Sequence, residues 1–224
     1  MINGIKTILR RIRADYMIGE QNSIWRKKNS HNSTNMMKLC KVSNVSVGIN
    51  TYGAIYVHDF GSEEKLCIGN YCSIADDVHF FLSGNHDFTR ISTYPFKKNL
   101  LGGSHESISK GGITVEDDVW IGSGVYIMSG VTIGRGAVIA AKSLVTKDVQ
   151  PYSIIAGTPA KLIKKRFSDE IATILSDIDY TKISLAFIEE NANVLYQDIT
   201  QLSTDQIVLI ISDFPIIKKK RGKL

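Results

Sequence analysis

Residues that usually pin a chain are scarce in this sequence. Its 224 residues include only three cysteines, four prolines and two tryptophans. Cys40, Cys67 and Cys72 are odd in number and form no CxxC pair, which argues against a disulfide framework and against a cysteine-based zinc site. Apolar residues make up 43% of the chain, yet no run approaches the roughly 20 that span a bilayer. The opening Met1-Ile2-Asn3-Gly4-Ile5-Lys6 lacks the long apolar core of a secretory signal, so a cytoplasmic protein with reduced thiols is expected. Acidic residues are missing where the basic ones gather. Residues 218–224 carry Lys218, Lys219, Lys220, Arg221 and Lys223 without an acid, and residues 1–41 hold nine basic against two acidic side chains. Taking these +5 and +7 from the whole-chain +5 leaves −7 for residues 42–217. A nucleic-acid binder would carry its basic stripe on the folded body, so nucleic acid is not an expected partner. Basic ends on an acidic body suit peripheral contact with anionic lipid at the inner face of a membrane, and they suit solvated tails equally well.

What the sequence has instead is a period of six. Val115, Ile121, Ile127, Ile133, Ile139 and Val145 recur without a miss, and four residues after each stands a small side chain, from Val119 to Val149. Ile68 and Ile74, with Cys72 and Val78, keep the same phase upstream. Six fits neither a helix nor the simple alternation of an isolated strand. It marks a hexapeptide solenoid, an all-β parallel β-helix in which every sixth side chain enters one continuous core. Cys72 occupies a small inward position of that core.

Three segments follow. Residues 1–41 form an N-terminal extension, where Ile5, Ile8, Leu9 and Ile12 at helical spacing predict a short amphipathic helix over residues 5–16. Residues 42–160 form the β-helix. The register breaks over residues 82–112, a 31-residue insertion without period, and loops of this length in a compact domain are usually functional. Residues 161–224 form a C-terminal helical region with a basic tail, expected to cap the open end of the solenoid. Thr158-Pro159 reads as an N-cap with proline at the first helical position, and Ser168-Asp169-Glu170 as a second helix start. Residues 184–196 have helical spacing. The apolar run 207–211 fits helix or strand.

Four local motifs accompany the period. They are Ile68-Gly69-Asn70-Tyr71-Cys72-Ser73-Ile74-Ala75, Gly84-Asn85-His86 with Ser92-Thr93-Tyr94-Pro95-Phe96, Asp118-Val119-Trp120-Ile121-Gly122, and Ala156-Gly157-Thr158-Pro159-Ala160. Over about residues 42–200 the chain resembles the hexapeptide-repeat acetyltransferases of the xenobiotic branch, which includes chloramphenicol and streptogramin acetyltransferases and sugar or polysaccharide O-acetyltransferases. The resemblance implies a left-handed β-helix with a protruding loop, a homotrimer with active sites between subunits, and acetyl-CoA as co-substrate with no metal.

Moving an acetyl group from a thioester to an alcohol requires a base for the hydroxyl proton and donors for the developing oxyanion. Among five histidines, His86 lies in the inserted loop and matches the family's catalytic position, so it is the expected general base. His31 precedes the solenoid, His58 and His79 lie on or near coils, and His105 shares the loop without a motif. Transfer is expected to be direct, which leaves Ser123 and Cys72 without a nucleophilic role. By the resemblance Trp120 walls the site beside the histidine. Tyr52 and Asp59 are expected to touch the acceptor or orient the histidine, and Asn85 to act as contact or turn former. The pantetheine arm is expected along Gly122, Ser123 and Ala141, and the nucleotide end at Thr146, Lys147, Lys161 and Lys164. Lys164, Lys165 and Arg166 fit a solvated cluster as well. The expected acceptor is a hydroxyl of a sugar or surface-polysaccharide precursor, because residues 52–65 offer few aromatics beyond Tyr52, Tyr56 and Phe60. An antibiotic hydroxyl is the alternative. A zinc-dependent carbonic anhydrase would need three convergent histidines, for which His79, His86 and His105 lack regular placement. A non-catalytic assembly protein also shares this fold class.

Overall fold

Residue pairs 18 positions apart lie side by side in the computed structural model, which describes residues 2–104 and 107–217. Trp120 pairs with Val138, Tyr126 with Leu144 and Thr114 with Thr132, all in parallel. Three hexapeptides therefore close one turn of a coil, and each turn stacks on the last. The early strands are β1 (Ser33–Met36), β2 (Val45–Val47), β3 (Tyr52–His58), β4 (Leu66–Ile68), β5 (Ser73–Ile74) and β6 (Val78–Phe81). After the inserted loop come β7 (Ile113–Val115), β8 (Trp120–Ile121), β9 (Tyr126–Ile127), β10 (Thr132–Ile133), β11 (Val138–Ile139) and β12 (Leu144–Val145). One side of the stack is the ladder β2-β4-β7-β10, and the long β3 feeds both other sides, pairing with β5 and with β6.

Backbone geometry accounts for the period. Positive φ recurs at Asp118, Gly124, Gly130, Gly136 and Lys142, between +58° and +79°, one left-handed residue per hexapeptide. Each such residue turns a corner, and glycine holds the three central corners because it alone enters that region without steric cost. Between corners only two residues pair as strand, and one of them points inward. The inward column Ile121, Ile127, Ile133 and Ile139 is fully buried, as are its small partners Val125 and Ala137. Cys72 is equally buried, and burial pushes its thiol up to about 12.

The stack begins earlier than position 42, because β1 already pairs with β3. Above β1 lies helix α1, which runs Ile2–Lys28 rather than over residues 5–16 alone. The apolar stripe ends at Tyr16, and what continues the helix is a face of Gln21, Asn22 and the buried Trp25, too polar for apolar periodicity to register. Asn22 donates through Nδ2 to the Met36 carbonyl and accepts from the Met36 amide, both at 2.7 Å. Gln21 makes the same kind of pair with the Lys38 carbonyl and the Cys40 amide, and Trp25 Nε1 donates to the Thr34 carbonyl at 3.2 Å. Side-chain amides thus stand in for the missing neighbour strand and cover the first sheet edge.

Thr158-Pro159 does not start a helix. It forms the two-residue turn between neighbouring strands β13 (Ser153–Gly157) and β14 (Ala160–Lys165), with Gly157 at φ +102°. A link this short joins only antiparallel strands. The alternating Ala160, Leu162 and Lys161, Ile163 suit a strand, and the proline supplies a turn instead of an N1 position. The chain divides into two compact units near residue 163. Within the second, the short helix α2 of the inserted loop (Phe96–Leu100) having preceded them, come α3 (Asp169–Leu175), α4 (Leu185–Leu195) and α5 (Thr204–Ile211). Ser168 caps α3 as its sequence position predicts, and Ser184 and Ser203 cap α4 and α5 in the same way. The ambiguous run 207–211 is helix, fixed by the Ser203/Gln206 capping box and by burial of Ile207 and Ile211. The basic tail 218–224 lies outside the described residues.

Candidate active site

The inserted loop is pinched at its base by short polar side chains. Ser109 Oγ donates to the Leu82 carbonyl at 2.6 Å, and the Ser83 and Ser107 hydroxyls meet at 2.8 Å. Asn85 and Ile108 exchange backbone bonds at 3.3 and 2.8 Å, which makes Asn85 a structural clasp, its amide 3.4 Å from Ser129 Oγ. Gly84, at φ +107°, passes over the Phe60 ring so closely that a Cβ would lie 2.6 Å from it. His86 stands two residues further on and is exposed.

A carbonyl only accepts, so the 2.6 Å contact between His86 Nδ1 and the Thr93 carbonyl places the proton on Nδ1. The neutral ring then keeps its lone pair on Nε2, which has no partner among the described residues. His86 lines a cleft with Phe60, Gly84, Arg90, Tyr94 and Lys98. Arg90 pairs with Asp87 at 3.0 Å, and the Thr89 hydroxyl and amide hold the Asp87 carboxyl below its usual range. Tyr94 packs edge-on to Phe96, ring centres 4.9 Å apart. The loop motif itself therefore orients the histidine, since Thr93 belongs to Ser92-Thr93-Tyr94-Pro95-Phe96.

Asp59 does not orient it. Its carboxylate accepts from the Lys41 amide at 2.7 Å and the Gly61 amide at 3.2 Å, closing the turn after β3. Tyr52 and Trp120 are both more than half exposed, and they share one outer column, with Ser73 between them in register. Neither lines the cleft of its own chain. Gly122, Ser123 and Ala141 come together at one corner, where a Cβ on Gly122 would lie 2.6 Å from the Ala141 amide and Ser123 accepts from the Lys142 amide at 2.8 Å. Thr146 and Lys147 lie exposed just beyond β12. Lys161 and Lys164 both stand on β14, and a strand's two-residue period puts side chains three apart on opposite faces. Lys165 shares the face of Lys161 and pairs with Asp169.

A second histidine system has no motif in the sequence. Lys38 Nζ lies 2.8 Å from His58 Nδ1, His58 Nε2 lies 2.8 Å from His79 Nδ1, and His79 Nε2 lies 2.8 Å from Asp77 Oδ1. The ammonium only donates and the carboxylate only accepts, so both rings are neutral and the bonds run one way from Lys38 to Asp77. Lys142 closes on Asp77 at 3.3 Å. His79 stacks between Tyr56 and Tyr126, each 4.6 Å away. Burial, then Lys38 and His79, push His58 down to about 4. With both ring nitrogens spent, neither histidine is a candidate base. Among the described residues no three His, Cys, Asp or Glu side chains group as a metal site requires; His105 of the zinc alternative lies outside them.

The bacterial transferase hexapeptide family, a model of six repeats, matches residues 112–147. A probable macrolide acetyltransferase of Lysinibacillus sphaericus is 45% identical over 141 residues, covering 59% of this chain and 77% of the relative. The chain belongs to the hexapeptide-repeat acetyltransferases. A chloramphenicol acetyltransferase of Klebsiella aerogenes is 38% identical over 169 residues, 66% of this chain and 80% of its own. The crystal structure of a hexapeptide-repeat acetyltransferase from Vibrio cholerae superposes with a TM-score of 0.51 at 26% identity, covering 66% of this chain and 81% of that one. In this hexapeptide-repeat acetyltransferase the matched repeats carry Trp120, Gly122, Ser123, Ala141, Thr146 and Lys147, whereas the His86 loop lies outside them.

Proposed function

We propose that this acetyltransferase moves an acetyl group from acetyl-CoA directly to a hydroxyl of a sugar or surface-polysaccharide precursor. One observation carries the mechanism: the Thr93 carbonyl fixes the His86 tautomer that leaves Nε2 as a proton acceptor at the cleft. Nε2 takes the hydroxyl proton as the oxygen attacks the thioester carbonyl, and returns it to the departing sulfur. No enzyme side chain becomes acylated. The corner of Gly122, Ser123 and Ala141, bare of bulky side chains, accommodates the pantetheine arm, and Thr146, Lys147 and Lys161 serve the phosphate end. The coils wind left-handed, and in a homotrimer the Tyr52 and Trp120 column of one subunit faces the His86 cleft of the next.

The cleft supports a polar acceptor, since Arg90, Ser92, Lys98 and Ser107 share it with Phe60 and Tyr94. A second reading, an antibiotic hydroxyl, rests on the names of the macrolide and chloramphenicol relatives. The test is CoA release from acetyl-CoA with a panel of sugars, nucleotide sugars, a macrolide and chloramphenicol, by wild type and His86→Ala. Loss of general-base catalysis should lower kcat by about 10²–10⁴-fold. Retention of most of kcat would remove His86 from that role, and turnover with the antibiotics alone would establish the second reading.

A further inference from the structure

Helix α1 is two different helices end to end. Its C-terminal half is fastened to the coil stack through Gln21, Asn22 and Trp25, the last 2% exposed. In its N-terminal half every residue from Lys6 to Met17 is exposed. Along this exposed half Ile8, Leu9, Ile12 and Tyr16 follow at steps of one, three and four, so they form one stripe, each about 60% exposed. Ile8, Leu9 and Ile12 each lie 13 positions before Gln21, Asn22 and Trp25 in turn. At 3.6 residues per turn that separation rotates the stripe about 140° from the fastened face. The stripe therefore points away from the coils.

Its flanks are mainly basic, with four cations, Lys6, Arg10, Arg11 and Arg13, against the single acid Asp15. We propose that the N-terminal half of α1 lies in the interface of an anionic lipid bilayer. Ile8, Leu9 and Ile12 dip below the headgroups, and the four cations pair with lipid phosphates. A protein partner would leave four clustered cations needing matching acids, whereas an anionic leaflet supplies that charge at any rotation of the helix. No helix here is long and apolar enough to cross a membrane, so the contact is peripheral among the described residues. The inference is independent of which acceptor the enzyme uses.

The test is co-sedimentation of the full chain with vesicles of phosphatidylcholine alone and of phosphatidylcholine mixed with phosphatidylglycerol. Wild type should bind the mixed vesicles, weakly the neutral ones, and salt should reduce binding. The Ile8→Asp/Ile12→Asp pair should weaken partition by about tenfold or more with an unchanged melting temperature, and Arg10→Glu/Arg13→Glu should do the same through charge. Three results would overturn the proposal. They are no vesicle binding by wild type, equal binding by the substituted chains (which transfers the effect to residues 218–224), and a fall in oligomeric mass on Ile8→Asp/Ile12→Asp, which makes a second copy the occupant of the stripe.

Discussion

His86 and its neighbours show how unevenly single residues can be read from a sequence. The loop motif identifies the histidine, but its tautomer depends on a carbonyl seven residues away that only the folded loop brings within 2.6 Å. The Lys38–His58–His79–Asp77 chain was out of reach for a different reason. Its members come from three separate segments and meet because parallel pairing sets Tyr56 beside His79 and His79 beside Tyr126. This chain has a measurable consequence. His58 keeps about 4 in the folded state against 6.5 in the unfolded chain, so the unfolded chain takes up the proton first as pH falls. Stability is therefore complete above about pH 6.5, declines between 6.5 and 4, and levels off below. The ring is partly solvated, and screening reduces the effect to about 1 kcal/mol, roughly 2–4 °C in melting temperature. His58→Gln should flatten the melting curve's dependence on pH across that window; an unchanged slope would assign the acid sensitivity elsewhere.

At the level of elements, periodicity identified what repeats and missed what is made by polar contacts. The strands of the regular coils are in the sequence because an inward isoleucine every six residues has no other use. Helix α1 beyond Tyr16 is not, since Asn22 and Gln21 act by bonding backbone rather than by burying apolar surface. Asn22→Ala should cost about 2 kcal/mol, because it strands the amide and carbonyl of the fully buried Met36. Urea denaturation measures this, and a change within error would make the amide pair incidental. The β14 strand carries a prediction of the opposite kind. A helix would have put Lys161 and Lys164 on one side, and a strand separates them. Lys161→Ala should raise the KM for acetyl-CoA several-fold and Lys164→Ala should leave it unchanged, the two being compared in the same initial-rate assay; equal effects would mean that both lysines reach the phosphates.

For the whole molecule, the six-residue period sets two things at once: which side chains fill the core, and which outer residues become neighbours. These are separable. The core needs only an inward side chain and a corner every six residues, and any whole number of hexapeptides preserves both. The outer site needs the full 18-residue turn, because Gly122 and Ser123 meet Ala141 and Lys142, one position beyond the 18-residue register, only when three hexapeptides complete it. Removing residues 125–130, one hexapeptide with its Gly130 corner, joins Gly124 to Val131 and keeps the inward column in phase. It also advances everything downstream by a third of a turn. Trp120 would then pair with Leu144 in place of Val138, and Gly122 would lose Ala141 as its neighbour. The shortened chain should keep its β circular dichroism and a cooperative, lowered melting transition, since a stack depends chiefly on contacts between adjacent coils. It should lose acetyl-CoA binding by calorimetry. Binding at wild-type strength would mean that the corner of Gly122, Ser123 and Ala141 is not the pantetheine lane, and an unfolded chain would mean that the outer ladders, not the inward column, hold the coils in place.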